Sequence, residues 1–274
     1  MCKAFSCIIN KNKRVVWKLN KQNHHELVEM AKWKDNTDDP SRMNFARVEI
    51  TPKNKDYLNP DKWIFKIDER IVPEWFSPAH KDACWSAFKL YEKQFYKVVQ
   101  KGKVIVHPFK DIKIVRKVTI KQKLTLKRWD SVRDSVRYSV KDSVGDSVGD
   151  SVKDSVWDSV KDSVWDSVKD SVWDSVWDSV KDSVWDSVKD SVWDSVKDSV
   201  WDSVKGYIGS FFKLEKWQHL KHKKGEYPFQ SVVDLWNQGL VPSFDGENWR
   251  LHSGKKAKVV FKISQKELRK YKGD

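Results

Sequence analysis

A chain of 274 residues with 39% hydrophobic and 13% aromatic residues can fill real cores, which excludes wholesale disorder. No run approaches the roughly 18 apolar residues of a membrane helix, and the opening MCKAFSCIINKNKR has no long apolar stretch behind a basic one, so a cytoplasmic protein with no membrane association is expected. The net charge of +14 is unevenly placed: residues 129–204 hold 18 Asp against nine Lys and Arg, a net of −9, while the flanks hold 44 basic and 21 acidic residues, a net of +23.

In chain order, residues 1–101 read as an N-terminal α+β domain. AFSCIIN and RVVWKLN are strands around an Asn-Lys-Asn-Lys turn, HHELVEMAKW is a helix, and NFARVEIT and KWIFKIDER are two more strands. SPAHKDACWSAFKLYEKQF is a second helix, capped by Ser77 with Pro78 at its first position. Three cysteines, Cys2, Cys7 and Cys84, are an odd number, which favours reduced thiols.

Residues 102–128 lead into a repeat. IKIVRKVTIKQKLTLKRW reads as three hexads with apolar first and third places (Ile112 and Ile114, Val118 and Ile120, Leu124 and Leu126), a hexad-like approach to a solenoid. Nineteen units of x-Asp-Ser-Val follow from Trp129 to Val204, and only Tyr138 breaks the Asp position. On an α-helix a four-residue step advances about 400°, so equivalent valines drift about 40° per unit and spiral round the axis. A straight strand would place Val160 and Asp162 on one face and bury a carboxylate beside every valine. A chain that bends once per unit avoids both. The expected fold class is therefore mainly β: a short-sided β-solenoid over 129–204, four-sided with about 16 residues per coil, flanked by a small N-terminal α+β domain and a small C-terminal α+β cap. Its core would contain Val156, Val160, Val164, Val168, Val172 and Val176. The outward positions would form a recognition surface from Trp157, Trp165, Trp173, Trp177, Trp185, Trp193 and Trp201, with Asp158, Asp166 and Asp174 in a column.

Residues 205–274 read as the cap. KGYIGSFF plugs the last coil, PFQSVVDLWNQG is a helix ended by Gly239, and NWRLHSGKKAKVVFKI is a hairpin turning near Ser253-Gly254.

The layout resembles tetrapeptide-repeat (Ser-Val-x-Asp) proteins of bacteriophages and prophages, on segments such as MCKAFSC, VEITP, LNPDKWIFKIDER and DLWNQGLVPSFDGENWRLHSGKKAKVVF. That resemblance implies origin and layout, with a bacterial host's cytoplasm as the setting, and implies no activity. The array is also similar to the pentapeptide-repeat β-solenoids, some of which mimic DNA, though it is one residue shorter per side.

Chemistry is sparse. There is no phosphate loop, no H-E-x-x-H and no nucleophile elbow, and the array has no His to complete a triad, so no catalytic residue and no cofactor is expected. Cys2, Cys7, His24 and His25 are weighed as a metal site, as are His219 and His222, and core or surface roles are preferred for both sets. The expected function is a non-enzymatic interaction or scaffold protein presenting Asp, Trp and Lys ladders to a host or phage protein or to a second copy. The alternatives are nucleic-acid binding through the basic flanks, at KHKK and Lys113 to Arg128, and DNA mimicry that inhibits a host nucleic-acid enzyme.

Overall fold

The computed structural model describes residues 5–18, 23–53, 58–148 and 190–273, with side chains over 5–18, 23–53, 58–144 and 195–273. These fall into two compact units, residues 5–103 with 145–148, and residues 104–144 with 190–273. Of the described residues 41% are helical and 19% in strands, and no solenoid is found among them, so the mainly-β, β-solenoid expectation is overturned. The valines from Val156 to Val176, the tryptophans from Trp157 to Trp185, and Asp158, Asp166 and Asp174 lie outside the described residues.

In the N-terminal unit, β1 (Phe5–Asn10), β2 (Val15–Val16), β3 (Phe45–Pro52) and β4 (Trp63–Ile67) form an antiparallel sheet in the order β2-β1-β3-β4. Side chains alternate between its faces. Helix α1 (His24–Ala31), started by the Asn23 side chain accepting from the His25 amide, puts Leu27 and Val28 against Ile8 and Phe45 on one face. Helix α2 (Pro78–Val98) covers the other, where Phe88 and Tyr91 pack on Phe5 with ring centroids at 5.6 and 5.3 Å. Cys7 and Cys84 are both buried, and burial followed by the neighbouring Cys84 pushes the Cys7 thiol well up.

The C-terminal unit holds both described ends of the repeat as helices. Irregular chain over 112–119 and then helix α3 (Ile120–Val148) replace the expected hexads, and helix α4 (Asp190–Gly209) replaces the last coil and its plug. The start of α3 was written in the sequence: Thr119 and Gln122 form a capping box, the Thr119 amide donating to Gln122 Oε1 at 2.8 Å and the Gln122 amide to Thr119 Oγ1 at 3.3 Å.

The helix tolerates a four-residue repeat because serine shares the buried stripe with valine. Val136, Ser139, Val140, Ser143 and Val144 are buried on α3, and Val196, Ser199, Val200, Ser203 and Val204 on α4. Those positions recur at intervals of three and four, the helical period. Over two repeats the valine drift is about 80°, still inside an apolar face at least 100° wide. Buried serines on α3 and α4 accept from neighbouring segments: the Gln218 amide donates to Ser143 Oγ at 2.8 Å and the Phe244 amide to Ser199 Oγ at 2.8 Å. Ser199→Ala should therefore cost about 1–2 kcal/mol in a urea melt, because it leaves a buried strand amide unpaired.

Around these helices stand α5 (Gln230–Trp236), the antiparallel meander β5 (Val241–Phe244), β6 (Asn248–Ser253) and β7 (Lys258–Ser264), and α6 (Gln265–Lys270). Aromatic side chains fill the middle: Trp129, Tyr207, Phe211, Trp217, Phe229, Trp236 and Trp249 are all buried, with Tyr207 stacked on Trp236 at 4.7 Å. Trp129, expected outside as the first repeat's variable residue, is fully buried; it lies 3.3 Å from where a Cβ on Gly206 would stand. Trp201 is half-buried, and Trp193 lies in α4.

One repeat carboxylate is buried in tension with its charge. Burial raises Asp202 to about 6, against the opposing pull of Arg137 first among the cations. Arg137 reaches Asp198 at 3.1 Å and Asp202 at 3.7 Å. The folded state holds this proton more tightly than the unfolded chain, so this contribution to stability falls as pH rises from about 4 to about 6 and is level above. Asp202→Asn should match the native protein near pH 4 and exceed it above pH 6 by on the order of 2 kcal/mol in urea titrations. His252 has the opposite sign. It is fully buried between Ser243 Oγ at 2.7 Å and the Ala257 carbonyl at 2.9 Å, and burial lowers it to about 4. Its contribution is lost as pH falls, equally in both proteins, and cancels from the comparison.

Candidate nucleic-acid interface

Two basic runs far apart in sequence are brought together in the C-terminal unit. Residues 110–128 contain eight Lys and Arg and one acid, Asp111; residues 255–272 contain eight and one, Glu267. Both acids are occupied by local capping. Asp111 Oδ2 accepts from the His107 amide at 2.7 Å. Glu267 Oε2 accepts from Ser264 Oγ at 2.6 Å in the capping box that starts α6, and those Ser264 bonds hold its carboxyl below the usual range.

Packing holds the runs in register at several points. Ile112 and Ile114 sit where a Cβ on Gly239 (φ +74°) and on Gly254 (φ +73°) would stand, 2.9 and 2.7 Å away, so those glycines serve both a left-handed backbone and a close approach. The Val115 amide donates to Ser253 Oγ at 2.9 Å. Further along, Lys123 Nζ lies over the Phe261 and Tyr271 rings at 5.1 and 5.5 Å, and Lys127 Nζ donates to the Tyr271 carbonyl at 2.8 Å.

The anchor beneath is Asp130, the first repeat aspartate. Its side chain is 3% exposed and accepts from Trp249 Nε1 at 3.0 Å, Gln265 Nε2 at 2.6 Å and Arg269 Nε at 2.9 Å. One buried carboxylate thus ties α3 to β6 and α6.

Two concavities open on these runs. A groove of about 520 Å³ is lined by Leu124, Lys127, Arg128, Ser131, Tyr271 and Lys272. A smaller one of about 360 Å³ is lined by His107, Phe109, Lys110 and Lys255. Burial, then Lys110, lowers His107. Each concavity combines cations with an aromatic ring, the pairing that suits phosphate and base. Lys121, Arg128, Lys270 and Lys272 are exposed.

The histidine and cysteine sets weighed from the sequence do not assemble. Cys7 faces α2 while His24 stands on the α1 side of the sheet, and His25 is exposed beside Glu29 at 3.2 Å; Cys2 lies outside the described residues. His219, in left-handed backbone, pairs with Asp142 at 2.7 Å, whereas His222 Nε2 accepts from the Trp217 amide at 2.7 Å, so the two share no helical face. In KHKK, Lys224 is paired with Glu215 at 2.8 Å. The sequence marks the first basic run through Lys113 to Arg128; the second, Lys255 to Lys272, carries the same signal but begins inside the segment read as a hairpin of the cap.

No helix among the described residues is long and apolar enough to cross a membrane. No family model, curated protein or solved structure matches the chain.

Proposed function

We propose that the C-terminal unit binds nucleic acid, using the joined basic runs as a phosphate-tracking face and Tyr271 as a ring against which a base stacks. The observation that carries this reading is the convergence of residues 110–128 and 255–272, whose only acids are spent on local caps. Lys and Arg positioned by packing neutralise phosphates without reading sequence, so the expected preference is for charge and strand form over base order. Ser131, whose hydroxyl donates to the Arg128 carbonyl at 2.7 Å, leaves oxygen lone pairs rather than a donor in the larger groove. The role is one of binding, with the chemistry of the grooves that of holding an anion.

Fluorescence anisotropy with a labelled single strand and a labelled duplex tests it. The combined Lys121→Glu, Arg128→Glu, Lys270→Glu and Lys272→Glu variant should lose at least about tenfold in affinity. A Lys221→Glu and Lys223→Glu variant, altered in the other basic loop of the same unit, should stay near native. A fall in log K from the double variant about half that of the quadruple one, in proportion to the charge reversed, would show that total charge, rather than this face, governs binding.

A further inference from the structure

The N-terminal unit carries a different site. His24 opens α1, Glu49 lies on β3 and Asp68 follows β4, and one ligand atom from each lies within 4.8 Å of the others. All three meet on the α1 side of the sheet. His24 and Glu49 are buried, at 7% and 8% exposure, and the Asp68 side chain is 39% exposed, so the cluster has one edge toward solvent.

The hydrogen bonding of His24 sets up the chemistry. Its Nε2 faces the Val48 carbonyl at 3.3 Å, an acceptor, so that nitrogen carries the proton. In the neutral ring, Nδ1 then turns its lone pair toward Asp68 Oδ2 at 3.4 Å. Two electron-rich atoms at that spacing call for a positive charge between them. The distance exceeds the about 2.7–2.9 Å of a charge-assisted hydrogen bond. It equals the roughly 3.3–3.5 Å edge of a tetrahedron with bonds of about 2.0–2.1 Å. A ring nitrogen oriented by a carbonyl on its far side is also the usual arrangement of a metal-binding histidine.

A separate observation points to the same place. Ser6 is 3% exposed and its Oγ has no hydrogen-bond partner among the described residues. It stands directly across from Glu49 in the β1–β3 register, on the same face of the sheet. A water held by a cation at the cluster would satisfy that hydroxyl. Of the neighbouring cations, Arg47 grips Glu69 at 3.1 Å, and Lys66, 64% exposed, approaches the other oxygen of Asp68 at 3.5 Å.

We propose that His24 Nδ1, Glu49 and Asp68 bind a divalent transition-metal cation of the zinc class, with a fourth position left to water near Ser6. One nitrogen and two carboxylate oxygens suit zinc more than magnesium or calcium, which take oxygen alone.

The test uses the full chain, stripped with chelator and titrated with Zn²⁺ by calorimetry. One zinc per chain is expected, weakened at least about tenfold by His24→Asn and by Glu49→Gln and unchanged by His25→Asn. Cobalt substitution of the native protein guards against a variant that fails to fold: its spectrum should show nitrogen and oxygen ligation with no thiolate charge-transfer band. Absence of zinc binding at micromolar concentration, binding indifferent to His24→Asn, or a thiolate band would each overturn the proposal.

Discussion

Val200→Asp is expected to unfold the C-terminal unit, with a loss of more than about 4 kcal/mol. Val200 is 1% exposed on α4, in the stripe that runs through Val196, Ser199, Ser203 and Val204 to Tyr207. The new carboxylate would enter a face of valine, serine and aromatic rings. Arg137, which reaches α4 from α3, already serves Asp198 and Asp202. Lys197→Asp, at an exposed position three residues away, should change stability by no more than about 0.5 kcal/mol. Far-ultraviolet circular dichroism against urea measures both, and equal effects would contradict an inward stripe on this helix.

Asp130→Ala should cost about 2–3 kcal/mol, chiefly because Trp249 Nε1, wholly buried, loses its acceptor. The loss falls short of the about 3–5 kcal/mol for a fully buried ion pair because Arg269 is 60% exposed and regains water. The functional consequence separates geometry from charge. Removing a carboxylate makes the unit more positive, and Coulomb attraction alone predicts tighter nucleic-acid binding. If α6 and the Tyr271 tail must be held against α3, binding should weaken instead, and Asp130→Asn, which keeps one acceptor, should fall between.

Much of the secondary structure was legible where a single signal dominated. The N-terminal strands, α1, and α2 with Pro78 at its first turn follow from alternation, periodicity and capping residues. The repeat misled because its valines alone were followed. A spiral of one residue type rules out a long helix with one apolar face, yet the described helical pieces cover few repeats each, and serine is small enough to be buried between turns. The Thr119–Gln122 capping box was available and contradicted the hexad reading, which counted only apolar places. Trp129 and Asp130 look like any other repeat pair; only tertiary packing turns one into core and the other into an anchor. The basic face was half legible for the same reason, since adjacency of residues 110–128 and 255–272 arises from β6, β7 and α6 folding back on α3.

The most direct test of the nucleic-acid face is the salt dependence of duplex binding, measured as log K against log salt from 50 to 200 mM. Neutralisation of about five phosphates by the two runs predicts a slope near −4 to −5. Changing Lys121, Arg128, Lys270 and Lys272 to Gln should flatten it by about 3.6, close to one for each phosphate no longer neutralised. A native slope near zero, or a steep slope left unchanged by those four substitutions, would contradict the account.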